Sequence, residues 1–533
     1  MTDHETHMPE ESLSHIADLK RRLRSYREGI ADYLDRVIKE NCGFPARSFY
    51  GESFSYWLLG LAGERYRASL DKLISIYAAK DKKSPDFHWE FNKYAWNSVL
   101  ISTGNSEVRD FVFPLRFKHT PVTNWVLLRC CTQIMAKHKA DQALQDARSL
   151  LDKHQSASGF IYDDVGVRSL QYHCFSSVLV AEISILCDEA ELRRKFLNAA
   201  QFIENLVLIT GDTLYVGRGQ QQSFGYGSLI YLLALAGFLL KDLRYFRKLE
   251  RCVSFLSDFQ RRDGSFPLVL NDVEKGYPAT ADPANPLYPG WYAYNNYFDY
   301  LPFLGVMLAK SEDILSATVD ARKRTSNDLI PYNDDQSERY QDADFLVVRR
   351  PNYEAALARP GGFWKGGGFW TNDLPMPYIV CRKKRITPSY GGEQYGRTLF
   401  SPRGIPLPLI QFGKELTSIR DGRIWSFWRG DMLIVLTPKA VLARSFDFGN
   451  AQIVVRDILI SPFKTYLYYL FENAREVRKG HEFSISHGAR VISDRHLYVE
   501  DRIQYFWGGE LNALRSSAPS RINMLTISLE AII

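Results

Sequence analysis

The hydrophobic pattern of this chain changes its period once, near residue 340, and that change limits the available folds more than any other feature. From about residue 12 to residue 310, apolar residues recur at intervals of three and four, as in 144–151, 178–186, 196–208, 229–240 and 249–259. This spacing keeps one face of an α-helix apolar. From about Asp342 the texture becomes short β-branched and aromatic runs separated by turns. Phe345-Leu-Val-Val-Arg, Met432-Leu-Ile-Val-Leu and Gln452-Ile-Val-Val-Arg are three of them, and they read as strands. A helical block followed by a strand block predicts an α+β chain of two domains in series. The expectation is a helical domain over 1–325 and an antiparallel β-sandwich over 340–533, joined by the polar stretch 322–342.

The helical block carries a weak internal repeat. Gly159-Phe-Ile-Tyr-Asp, Asp212-Thr-Leu-Tyr-Val and Asp263-Gly-Ser-Phe-Pro each fall in a turn between helices, and Phe160, Leu214 and Phe266 are 54 and 52 residues apart (214−160, 266−214). Tyr172 and Tyr226 follow the first two by 12 residues. A period near fifty is one helical hairpin per unit, each burying its apolar face only against its neighbours. That predicts a closed or horseshoe ring of hairpins, an (α/α) toroid, with the connecting loops gathered on one rim where a cleft can form. An ordinary helical bundle is the simpler alternative.

Composition excludes several classes. At 45% hydrophobic and 14% aromatic, the chain has the apolar area to offset ordering entropy, so it is not a disordered protein. The longest uninterrupted apolar run, 229–240, stops at Lys241, short of the roughly 18 residues that span a bilayer. A net charge of +6 is too mild for a nucleic-acid protein and suits an acidic small molecule or polymer. Seven cysteines, two of them adjacent at Cys130 and Cys131, form neither a disulfide framework nor a zinc spacing. No phosphate loop, HExxH or GxSxG is found, and Gly217-Arg-Gly219 lacks the third glycine of a dinucleotide motif. No cofactor and no metal are therefore expected. The N-terminal residues lack the basic and apolar regions of a secretory signal, so the expected compartment is the cytoplasm, with a non-classical route needed for any outside substrate.

Three segments combine polar groups with aromatics or glycine just before an apolar helix: 119–125 with Asn124, 163–173 with Tyr172 and His173, and 212–227 with Arg218, Gln222 and Tyr226. Asn124 precedes His173 by 49 residues, and His173 precedes Tyr226 by 53 (173−124, 226−173), so a ring would bring them together. The segment 288–297 adds an aromatic patch with Trp291, Tyr292 and Tyr294. An amide, a histidine, a phenol and an arginine suit β-elimination at a uronic acid. Removing the C5 proton builds charge on the adjacent carboxylate, which an amide or arginine must hold. A base takes that proton, and an acid protonates the leaving glycosidic oxygen. On this reading Asn124 and Arg218 hold the carboxylate, His173 is the base, Tyr226 the acid and Tyr172 a reserve for either proton. Gln222, Trp291 and Tyr294 contact the polymer.

These segments resemble those of the (α/α)-toroid polysaccharide lyases, the group of alginate lyases, chondroitin/hyaluronate lyases and heparinase II/III-like enzymes. Asn124-Trp125 is similar to the group's Asn-Trp segment, Tyr172-His173 to its Tyr-His segment, and 212–227 to the turn ending in Gly-Tyr-Gly with the catalytic tyrosine. The resemblance implies a toroid followed by a β-sandwich, an acidic polysaccharide as substrate, and lyase activity. In chondroitinase-type members a histidine stands near the position of Arg218, so here the base would be His173 or Tyr226. The rival readings are a toroid glycoside hydrolase using Asp163 or Asp164 and a non-catalytic glycan-binding or polysaccharide-assembly protein. Arg382-Lys-Lys-Arg385 reads as a charged strand edge or a polyanion contact.

Overall fold

Two kinds of helix alternate along the first part of the chain, and burial tells them apart. The computed structural model describes residues 10–84, 87–164, 167–217, 221–270, 297–324, 338–359, 363–364, 369–370, 376–387, 393–394, 397–398, 409–412, 415–418, 425–504 and 510–533. Its helices are α1 (Glu10–Asn41), α2 (Gly51–Ala62), α3 (Arg67–Ala79), α4 (Trp89–Thr103), α5 (Arg109–Val112) and α6 (Thr123–Met135), then α7 (Ala140–His154), α8 (Leu170–Leu186), α9 (Ala190–Leu206), α10 (Ser223–Leu240), α11 (Leu243–Ser257) and α12 (Tyr297–Arg324). In α7 only Ala143, Ala147, Leu151 and His154 are buried, a single stripe. In α10 every residue from Ser223 to Gly237 is buried, as befits a helix surrounded by protein. α10 is long and apolar enough to cross a membrane, yet 83% of it is buried inside the protein.

The buried helices pack in succession: α2 on α4, α4 on α6, α6 on α8, α8 on α10, α10 on α12, and α12 back on α2. The amphipathic helices flank them, with α3 on α2, α7 on α6, α9 on α8, α11 on α10 and α1 on α12. Along the shared interior Lys310 of α12 pairs with Glu182 of α8, to which Tyr94 of α4 donates a 2.7 Å hydrogen bond.

The repeat in the sequence corresponds to one turn used three times. Ser156 N–H donates to Phe160 O (2.8 Å), Leu208 N–H to Asp212 O (3.1 Å) and Arg261 N–H to Ser265 O (2.8 Å). Each turn contains a left-handed glycine, at φ 98° for Gly159, 84° for Gly211 and 86° for Gly264. A Cβ on these glycines would run into the backbone of Asn198 in α9, Arg251 in α11 and Gly29 in α1 respectively. The turn after each flanking helix thus rests on the next flanking helix, and α1 completes the series. Gly211→Ala is expected to cost more than about 1–2 kcal/mol, the left-handed penalty alone. A lowered urea midpoint would show it, and an unchanged midpoint would refute the role given to this turn.

Among the described residues the strands fall into three main antiparallel sheets and two two-stranded ones, where the sequence predicts a single β-sandwich. The first is a five-stranded meander of Arg339–Gln341, Phe345–Arg349, Tyr353–Ala358, Tyr378–Cys381 and Lys384–Arg385. A second five-stranded sheet and an eight-stranded sheet follow. They share a buried junction in which Tyr469 donates to Asp457 (2.7 Å), itself clamped by Arg444 at 2.6 and 2.8 Å. The first sheet is a layer of its own because its Tyr353–Ala358 strand is buried throughout. The rim turns cover one side, where Phe345 meets Phe160 and Tyr378 stacks on Tyr215 at 5.0 Å. On the other, Tyr353 donates to Gly449 O (2.6 Å) beside the eight-stranded sheet. Asp344 joins the halves by accepting from Arg168 (2.8 Å), Tyr162 (2.6 Å) and Arg359 (2.7 Å).

Candidate functional site

The N-terminal ends of α2, α4, α6, α8, α10 and α12 meet at one end of the helical part. One depression there is lined from all six: Phe49 and Tyr50 before α2, His88 before α4 and Phe91 in it, Asn124 and Trp125 of α6, Tyr172 of α8, Phe224 of α10, and Asp299 and Tyr300 of α12. Helix N-termini carry unsatisfied N–H groups and a partial positive charge, so this end suits an anion. The open space is about 20 Å³, room for one water.

Asp299 ties α12 to the residues before α2. Its carboxylate accepts from Phe49 N–H (2.9 Å) and Tyr50 N–H (2.8 Å) and so caps α2, whose own N-cap side chain makes no capping bond. Burial pushes its pKa up to about 7, against the pull of those two N–H groups and Lys80. A carboxyl raised in the folded state stabilises the fold below the unfolded value of about 4, and that contribution is lost as pH rises through about 7. Asp299→Asn is therefore expected to gain stability relative to wild type between pH 5 and 8, read as melting temperature against pH. A constant difference across that range would contradict the burial argument.

His88 stacks on Phe49 (4.6 Å) and meets Trp125 edge-on (4.9 Å). Burial, reinforced by Lys118, Lys80 and Arg47, pushes its pKa down to about 3, so the ring is neutral. Its buried Nδ1 has no hydrogen-bond partner among the described residues. Asn124 donates from Nδ2 to Asp163 Oδ1 at 2.8 Å, and Asp163 is fixed in turn by Thr123 N–H on its carbonyl. This anchors one edge of the amide, while its buried Oδ1 has no partner among the described residues. Next along α8 from the depression, Gln171 is buried with neither amide atom partnered among the described residues. Among the described residues no group of three or more His, Cys, Asp or Glu is disposed to hold a metal.

Of the residues expected from sequence, Asn124 and Tyr172 reach this depression. His173 does not. Its Nδ1 accepts from Ile161 N–H (3.0 Å), its Nε2 donates to Ala199 O (3.2 Å), and it stacks on Phe160. With both nitrogens held by backbone, and burial pushing its pKa down to about 3, it packs the rim turn and has no lone pair for a substrate proton. Tyr226 is likewise interior. Its hydroxyl donates to Gln221 Oε1 (2.7 Å) and accepts from Thr213 N–H (3.2 Å), and its ring stacks on Phe255. Burial and the nearby Asp212 raise its pKa well above the ordinary phenol value. Gln222 is fully buried at the start of α10, its amide unpartnered among the described residues. Arg218, Trp291, Tyr292 and Tyr294 lie outside the described residues. Sequence reasoning missed His88, Asp299 and Tyr300. The available signal was positional, since each stands within four residues of the start of an apolar helix.

Comparison with known proteins adds the fold. No protein-family model matches the chain, and no curated protein matches it. Among solved structures it is similar to a xanthan lyase from Paenibacillus, with a TM-score of 0.50 at 10% identity over 98% of this chain and 58% of that one. It is also similar to a chondroitin AC lyase from Streptomyces coelicolor (TM-score 0.47, 12% identity, 99% of this chain and 80% of that one) and to a cellobiose 2-epimerase from Bacillus thermoamylovorans (TM-score 0.37, 12% identity, 54% and 87%). The chain thus spans just over half of the xanthan lyase. The likeness to that lyase establishes the fold as polysaccharide-lyase-like, in keeping with the resemblance read from the sequence.

Proposed function

We propose that the chain is a polysaccharide lyase that cleaves an acidic, uronate-containing polysaccharide by β-elimination at the depression between the six helix starts. On this reading the helical part, 1–325, is a closed (α/α) toroid that carries the site, and 340–533 is the sandwich-like part that braces its rim. The observation that carries the reading is the convergence there of an anchored amide, a phenol and a neutral imidazole with a nitrogen unpartnered among the described residues. The field around His88 agrees with an anionic substrate, because the cations that depress its pKa attract a carboxylate.

In the proposed reaction, Asn124 uses its remaining N–H to hold the uronate carboxylate as charge builds on it. His88 Nδ1 takes the C5 proton. Its basicity rises when the substrate's negative charge sits beside it. The C4–O bond breaks, a C4–C5 double bond forms, and Tyr172 gives its proton to the departing oxygen. Tyr50, Trp125 and Tyr300 offer ring faces for sugars. With only a water-sized space between them, these rings must swing aside to admit a pyranose.

The test is ultraviolet absorbance of the conjugated product from alginate, hyaluronan, chondroitin and heparan. Absorbance that rises with wild type and fails to rise with His88→Gln supports the reading. Reducing ends without absorbance would favour a second one, a glycoside hydrolase using Asp299, whose raised pKa suits a general acid.

A further inference from the structure

Away from the depression, two joined hollows of about 790 and 430 Å³ lie between α11, α1 and the first sheet, meeting at Ile209, Arg251, Val380 and Lys383. They share no residue with the depression. We propose that this groove is a second binding site for an acidic oligosaccharide segment, which holds the polymer while the depression works on it. The substrate class rests on the reading above. The site itself rests on the groove.

Its walls are rich in cations. Arg22, Arg251, Arg261, Lys383 and Arg385 line the larger hollow and Arg382 the smaller. The acids on the same walls are largely engaged: Glu250 pairs with His15 (2.8 Å), and Asp212 accepts from Gln221 (2.6 Å) and from Tyr378. Asp258 lines the hollow with Phe255 and Phe259, half-buried rings tilted against each other with centroids 5.1 Å apart. Cations for carboxylate or sulfate, a carboxylate for hydroxyls and a ring for a pyranose face together suit a sugar acid. A phosphodiester backbone would gain nothing from Asp258 and Glu250.

The second observation is a costly turn. Arg382 and Lys383 form the two-residue turn between paired Cys381 and Lys384, both at positive φ, 44° and 66°. Such turns favour Asn-Gly. Strained residues of this kind persist where function uses them. Here Arg382 N–H donates to Asn352 O (3.3 Å), which holds the turn at the mouth of the smaller hollow.

The test replaces the turn with the residues its backbone prefers, Arg382→Asn with Lys383→Gly, a change that removes two charges without straining the fold. Binding of labelled hexasaccharides of heparin and of alginate is measured on the full chain carrying Tyr172→Phe, so that ligand is not consumed. The expected result is a melting temperature equal to or above the parent's and binding of at least one hexasaccharide weakened about tenfold, with a shallower salt dependence. Unchanged affinity overturns the proposal, as does no binding of either hexasaccharide at low salt. A DNA duplex that binds as tightly, with the same loss, also overturns it by showing a general polyanion surface. If the groove variant loses binding while wild type yields no unsaturated product from any polymer, the lyase reading fails and this site stands.

Discussion

Tyr172→Phe is expected to lower the rate of unsaturated-product formation by about 10²–10⁴-fold, the usual worth of a positioned proton donor, at a stability cost of about 1 kcal/mol for a lost hydroxyl contact. The ring stays and only the hydroxyl goes, so its neighbour Phe224, 6.2 Å away between centroids, keeps its packing. The control is Tyr226→Phe. It orphans Gln221 Oε1 and Thr213 N–H in the interior and is expected to cost about 1–3 kcal/mol while leaving turnover per folded molecule nearly intact. Rates and urea midpoints measured on both variants separate the two roles. If Tyr226→Phe abolishes turnover at unchanged stability, the depression is the wrong site.

The second large effect is on the union of the two halves. Asp344→Ala is expected to destabilise the protein by about 3–5 kcal/mol, because it leaves Arg168 buried with an uncompensated charge and removes the acceptor of Tyr162 and Arg359. Burial alone would raise the Asp344 pKa, but the Arg168 and Arg359 guanidiniums outweigh it and hold the carboxyl below its ordinary value. A depressed pKa contributes stability that is fully present above the unfolded value near 4 and is lost as pH falls through the folded value. The gap between wild type and Asp344→Asn should therefore be constant from pH 5 to 8 and narrow progressively as pH falls below about 4. Urea unfolding followed by circular dichroism at each pH checks this. A gap that does not narrow as pH falls below about 4 would mean that shape rather than charge joins the halves.

Helix geometry explains which site residues could be found by sequence. Asn124 and Tyr172 were legible because each stands at the start of an apolar helix and carries chemistry. His173 follows Tyr172 directly, and successive residues on a helix point about 100° apart, so one can face the depression while the other packs behind it. The same reasoning separates Phe224, which faces the depression, from Tyr226, turned about 200° further round α10. A motif names both residues of a pair and does not say which faces inward. His88, Asp299 and Tyr300 share that position at a helix start and were missed for another reason. α4 and α12 reach the same point only once the chain has closed on itself.

The sequence alone determined the α+β order of the chain, its helical hairpins and the fifty-residue repeat. These are local properties, set by the period of apolar residues and by glycines in recurring turns. Its strands were equally plain, from runs such as Met432–Leu436, in which buried and partly exposed residues alternate. Tertiary structure alone decided that the described strands divide among three main sheets and two short ribbons, that Asp299 caps a helix some 250 residues away, and that Arg382 and Lys383 border a groove with α11. Pairing between distant segments depends on loop closure and on which buried polar groups find partners, and no short window of sequence encodes either.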